Sequence, residues 1–352
     1  MTSLQDVALM RLVAQGLAGP PAPDAAAAVR GLAAVQGQDL PGAVTSVALR
    51  TAGHRRADVL AAMDDGTVVR SWPMRGTLHL LLAEDLPWML DLLGPRALAG
   101  LERRRAALEL TGADAERARE IVVAVLSGGR RLSRAALLTA IHGGGVATTG
   151  QRGYHLLWFL SQTGTLCLGP TDGGEQTFVP LEEWVRARRR LDRDEALGEL
   201  VLRYFRGHGP ATVADLVRWA GTTVRDVRAG LAVAGDRLER LQVDGTEHLL
   251  DPATPELLAA HRAEARAVRL LPGFDEFVLG YGDRTAVLDP AFAERICPGR
   301  NGMFAPTVVF DGRVSGTWRW TGSGRRRVAK AALFTEDAAL AAAVPALAAA
   351  LP

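Results

Sequence analysis

Two glutamines, Gln36 and Gln38, stand two apart in the run Val35-Gln36-Gly37-Gln38-Asp39. In a helix such a pair would diverge by about 200°, whereas in an extended segment positions i and i+2 project to one side. Gly37 weakens a helix at this point, so an extended segment is expected. Two carbonyl acceptors and two NH2 donors would then surround one spot. The same spacing fits two turn residues bonded to local backbone, and spacing alone leaves both readings standing. Asp39 alternates to the other side and reads as the cap of a helix beginning near Leu40.

Other reactive groups are sparse. Lys330 is the sole lysine, so amine chemistry would rest on it or on the N-terminal amine. Cys167 and Cys297 stand far apart with no His or Cys at ligand spacing, which argues against a disulfide framework or a zinc site and fits a reducing cytoplasm. Thr321-Gly322-Ser323-Gly324 leads into Arg325 rather than the Lys-Ser/Thr of a phosphate loop, and there is no His-Glu-x-x-His. Neither metal nor cofactor is expected. Arginines run together at Arg103 to Arg105, Arg188 to Arg190 and at Arg325, Arg326 and Arg327, as solvated faces or as surfaces for phosphate. Arg75 and His79 follow a strand-like stretch and either contact DNA or bond their own hairpin. Trp72, Trp318 and Trp320 stand at strand spacing, as core or as stacking platforms, and Asp283-Arg284 reads as a salt bridge.

These residues need elements to hold them. Over residues 197–250 the order is helix, stop at Gly207-His208-Gly209-Pro210, helix capped by Thr212, tight turn, helix, then a hairpin turning at Asp244-Gly245. That is the order of a winged helix-turn-helix. It recurs over 115–179, and less cleanly near the N-terminus, where helices at 4–16, 25–35 and 42–50 precede strands 68–72 and 77–82. Stretches 269–289, 307–310 and 313–320 alternate like strands, and an Ala-rich helix closes the chain over 335–351. The expected fold is α+β: about three tandem winged-helix units (1–110 with the Gln pair, 111–195, 196–255) and a C-terminal mixed α/β module over 256–352. The 352 residues are 48% hydrophobic with a formal net charge of +2, so core burial is ample and a histone-like basic balance is excluded. No run of about 18 uncharged apolar residues suggests a membrane span, and the start lacks the pattern of a secretion signal.

The chain resembles the winged-helix DNA glycosylases of the AlkZ/YcaQ type. The likeness lies in Val35 to Asp39, in Arg70 to His79, in Gly209-Pro210-Ala211-Thr212 with Trp219, in Leu271 to Glu276, in Gly280 to Arg284, and in Gly312-Arg313 with Gly316-Thr317-Trp318. The resemblance implies excision of alkylated bases and unhooking of interstrand crosslinks, with Gln36 and Gln38 as the catalytic pair. Gly37 departs from the bulkier apolar residue of the relatives.

On that reading the amides hold a water beside a sugar carbon. They do so without the charge of the usual carboxylate, so the leaving base must already be good: a purine made cationic by alkylation at N7 or N3. Without an amine at hand, a monofunctional enzyme leaving an abasic site is expected. Its partner is double-stranded DNA carrying alkylated purines, bound as a monomer in the cytoplasm at the nucleoid, with no membrane partner. Arg75, His79, Arg325, Arg326 and Arg327 are the candidate DNA contacts. A non-catalytic winged-helix regulator is the rival reading, as is a winged-helix scaffold for another protein.

Overall fold

The computed structural model describes residues 2–324 and 327–352. It is a mixed α+β protein whose chain forms two compact units: Met1–Val59 with Leu197–Pro352, and Leu60–Ala196.

In the first unit, Ser3 and Asp6 form a capping box for helix Leu4–Ala14. This helix packs on Thr254–Ala265, and Leu9, Leu12, Val13, Leu258 and Phe277 share its core. Helix Ala25–Leu32, capped by Asp24, ends abruptly. Ala33 takes φ 62 and ψ −49, and Ala34 N–H donates to the Leu32 carbonyl at 2.7 Å. That is a positive-φ γ-turn, a strained geometry for a residue with a Cβ. It turns the chain into the extended pair Val35–Gln36, and helix Leu40–Ala48 follows. The helix expected to reach residue 35 therefore stops at Leu32, and the extended form expected around Gly37 is found at Val35–Gln36, with a bend at Gln38.

The order expected over 197–250 is found with small shifts. Helix Arg193–His208 leads to Val213–Ala220, capped by Thr212 and stopped by Gly221 in the left-handed region, then to Val224–Ala234. Strands Glu239–Val243 and Thr246–Leu250 pair across Asp244 and Gly245, with φ 47 and 76, as a type I′ turn requires. The C-terminal sheet runs in the order Val328–Leu333, Arg313–Thr321, Thr307–Phe310, Arg269–Leu271. Helix Ala338–Ala349 covers it through Leu340 and Val344 against Val308 and Trp318. One expectation is corrected. The strand begun at Arg269 ends at Leu271, and the residues up to 289 turn through the short helix Glu276–Leu279, capped by Asp275.

In the second unit, helices Gly112–Leu126, Arg134–Gly143 and Arg152–Gln162 share a core with Trp72, Leu166 and Phe178. Five strands run in the order Thr77–Leu82, Val68–Met74, Leu166–Asp172, Glu175–Pro180, Leu132–Ser133. Among the described residues, no helix is long and apolar enough to cross a membrane.

Candidate active site

The glutamine pair rests on a buried carboxylate. Gln36 is 8% accessible, whereas Gln38 and Asp39 are exposed. The backbone N–H of Gln36 donates to Glu276 Oε1 at 2.9 Å. Glu276 Oε2 accepts the Trp219 indole N–H at 2.9 Å and lies 3.4 Å from His208 Nε2. His208 Nδ1 is buried without a hydrogen-bond partner. Burial alone would push the Glu276 carboxyl up. The hydrogen bond and charge of His208, with the donors on Trp219 and Gln36, outweigh burial and hold it down to about 2.

Helix ends bring these groups together. Helix Arg193–His208 ends against Ala25–Leu32 so closely that a Cβ at Gly207 would lie 2.0 Å from the Gly31 carbonyl oxygen. Only glycine permits that approach, and it sets His208 beside the chain leading to Gln36. The His208 ring stacks on Tyr204 with centroids 4.7 Å apart and lies 5.3 Å from Trp219. The Tyr281 hydroxyl donates to the His208 carbonyl, and its own oxygen accepts from Gln15.

A second buried layer adjoins the first. Arg50 forks onto Asp275 with two bonds of 2.9 Å, and both side chains are 1% exposed. Ser46 donates to the same carboxylate, and Arg50 also donates to the Gln15 backbone and side-chain oxygens. Asp275 and Glu276 are thus consecutive, one compensating an arginine and the other receiving the Gln36 peptide. Neighbouring Asp215 accepts Gly282 N–H and Asp283 N–H while completing the Thr212 capping box.

Asp39 stands at the N-cap of Leu40–Ala48 but makes no side-chain cap bond, correcting its expected role. Instead, its carboxylate lies over Gly42, where a Cβ would come within 2.4 Å. Asp39 and Gly42 share a cavity of about 370 Å3 with Gly273, Trp318, Trp320 and Arg327. The Arg327 guanidinium lies 4.2 Å from the Trp320 ring centroid. Lys330 faces Arg319 across the same hairpin, and both are exposed. Arg325 and Arg326 lie outside the described residues.

In the second unit, Arg75 and Gly76 form the turn between Val68–Met74 and Thr77–Leu82, with φ 54 and 68. Arg75 Nη2 lies 3.1 Å from His79 Nε2, and His79 Nδ1 lies 2.8 Å from the Thr77 carbonyl. Buried His79 thus ties the hairpin together, while Arg75 is exposed. Of the tryptophans, Trp72 and Trp318 are core and Trp320 is half-buried. Asp283 and Arg284 do not pair: Arg284 donates to the Val278 carbonyl and Asp283 accepts from Thr285 N–H. Burial pushes the Cys167 thiol up to about 12, too high for a nucleophile. Among the described residues no group of three or more His, Cys, Asp or Glu is placed to hold a metal ion.

Sequence reasoning missed Glu276, His208, Trp219, Arg50 and Asp275 as a group. Their one signal was two adjacent carboxylates inside the apolar run Leu270 to Tyr281, since carboxylates buried among apolar residues demand partners.

The family model for AlkZ-like DNA glycosylases matches residues 29–351. An interstrand DNA cross-link repair glycosylase of Streptomyces sahachiroi is 30% identical over 327 residues, covering 90% of this chain and 87% of the relative. The solved structure of Streptomyces sahachiroi DNA glycosylase AlkZ aligns with a TM-score of 0.81 at 28% identity, over 99% of this chain and 95% of the other.

Proposed function

Because the chain belongs to the AlkZ-like DNA glycosylase family and is thereby a DNA glycosylase, we propose that it is monofunctional and acts on purines alkylated at N7 or N3. The feature that carries this reading is the pair of uncharged amides Gln36 and Gln38, the first of them in the extended stretch Val35–Gln36. Their carbonyls accept hydrogen bonds from a water and aim its lone pair at C1′. They cannot take its proton, which leaves to solvent. The C1′–N9 electron pair departs into a ring that already carries a positive charge, so the base leaves neutral and needs no acid. The products are an abasic site and a free alkylpurine. Neutral bases such as uracil require charge or proton donation that two amides do not supply.

Excision without strand cleavage is expected because Lys330 sits on the hairpin strand Val328–Leu333, opposite Arg319. Like charges directly opposite on neighbouring strands repel, and an anion between them removes the cost. We take Lys330, Arg319 and Arg327 of this hairpin, with Arg325 and Arg326 beside them in the sequence, as contacts to DNA phosphate. Arg75 at its exposed turn is the second phosphate contact, and His79 holds that turn in place. The curated relative is named for interstrand cross-link repair, and we extend that substrate class to this chain. The protein acts as a monomer on duplex DNA in the cytoplasm.

The test is incubation with duplexes carrying 7-methylguanine, uracil or no lesion. Alkali treatment afterwards reveals abasic sites. Excision confined to 7-methylguanine, with the strand intact until alkali is added, is the expected result. Release of uracil at a comparable rate, or strand cleavage before alkali, would contradict the proposal.

A further inference from the structure

We propose that Glu276 is a positioning residue for excision: its buried carboxylate fixes the Gln36 peptide and places an acidic group beneath the glutamine segment. The inference rests on the catalytic reading of Gln36 and Gln38, and it supplies what that reading lacks. A sugar losing its base acquires positive charge, which glycosylases ordinarily meet with a carboxylate, and two amides carry no net charge to oppose it.

Glu276 meets three conditions for that role. It is bonded directly to the backbone of the glutamine pair, through Gln36 N–H at 2.9 Å. It is 1% accessible, so water screens its charge less than that of exposed Asp39. And among the described residues its one ion-pair contact is His208 Nε2 at 3.4 Å, with no arginine or lysine beside it: Arg50 is engaged by Asp275, and the Arg11 guanidinium lies over the Tyr281 ring at 3.6 Å. The donors that reach Glu276 come from Gln36, Trp219 and His208.

Both oxygens of this side chain are acceptors: a glutamine of the same shape would accept the Gln36 N–H but turn its NH2 toward the Trp219 indole N–H, which can only donate. The carboxylate that satisfies both donors also brings its charge to within one peptide of the proposed catalytic side chains.

The test uses the full chain and two readouts. The first is single-turnover excision of 7-methylguanine from a duplex. The second compares affinities for two uncleavable duplexes, one with a protonated pyrrolidine in place of the sugar and one with neutral tetrahydrofuran. Wild type should prefer the cationic duplex by about tenfold or more. Glu276→Gln should excise about 10²-fold more slowly, bind the neutral duplex within about threefold of wild type, and lose most of the preference.

Trp219→Phe removes one donor but keeps the charge, and should keep the preference. If Glu276→Gln does not fold, Glu276→Asp decides: its charge is kept but withdrawn from Gln36, so excision should slow while the preference survives. A Glu276→Gln protein with wild-type rate and preference would overturn the proposal, as would a Glu276→Asp protein with wild-type rate, or a wild type indifferent to the sugar's charge. Gln36→Ala separates the two ideas. If it abolishes excision while Glu276→Gln does not, only the role of Glu276 falls; if Gln36→Ala is fully active, the catalytic reading itself falls.

Discussion

The peptide N–H of Gln36 donates to the side chain of Glu276, 240 positions away, at 2.9 Å. Through that bond and its bond to Trp219, one carboxylate joins three of the stretches that carry the family likeness. They are Val35 to Asp39, the Gly209 to Trp219 region, and Leu271 to Glu276. Tyr281 of a fourth stretch holds the His208 carbonyl, and Gly282 and Asp283 bond Asp215. Four of the six stretches that carry the likeness thus meet in one buried hydrogen-bond network, with Gln36 at its edge.

The Arg50–Asp275 fork should be the most fragile part of that network. Both groups are 1% exposed, and removing one partner strands the other charge in the core, at a cost of about 3–5 kcal/mol. Arg50→Met should lower stability by that much in urea unfolding. The double variant Arg50→Met/Asp275→Leu should recover a large part of it. A single variant within about 1 kcal/mol of wild type would show that water reaches the pair.

Acid should weaken the fold through Glu276. Its carboxyl is held down to about 2 from an ordinary value near 4.5, by donors that outweigh its burial. The unfolded chain therefore takes up a proton first. The stabilisation is full above about pH 4.5 and is lost as pH falls toward 2. Glu276→Gln should show a shallower fall in unfolding midpoint across that window than wild type. Parallel curves would place the acid sensitivity elsewhere.

Arg75 occupies a left-handed turn position, φ 54, where Asn or Gly is at ease and Arg is strained. Strain kept at an exposed cation points to use. Arg75→Asn should leave the unfolding midpoint equal to wild type or higher, weaken duplex binding, and reduce the salt dependence of log K by about one. An unchanged salt slope would remove Arg75 from the phosphate contacts.

Local chemistry was readable where it acts over a few residues. The Thr212 cap, the Asp244-Gly245 turn and the extended pair Val35–Gln36 all follow from side chains and their immediate neighbours. The strand expected beyond Leu271 failed because its alternation reflects buried polar bonding, with Asp275 and Glu276 facing partners rather than a sheet. Asp283 and Arg284 misled in a similar way, since adjacent opposite charges suggest a pair while each finds a nearer local partner. The γ-turn at Ala33 leaves no trace in composition, because alanine, unlike glycine or asparagine, does not signal positive φ. The gathering of Glu276 with Gln36 depends on contacts across most of the chain, which spacing cannot encode.

The central claim is that two uncharged amides orient the attacking water. Single-turnover excision of 7-methylguanine by Gln36→Ala and Gln38→Ala, with duplex affinity measured alongside, tests it most directly. Each variant should lose about 10²- to 10³-fold in excision rate while binding the duplex within a few-fold of wild type. Both variants excising at the wild-type rate would contradict it.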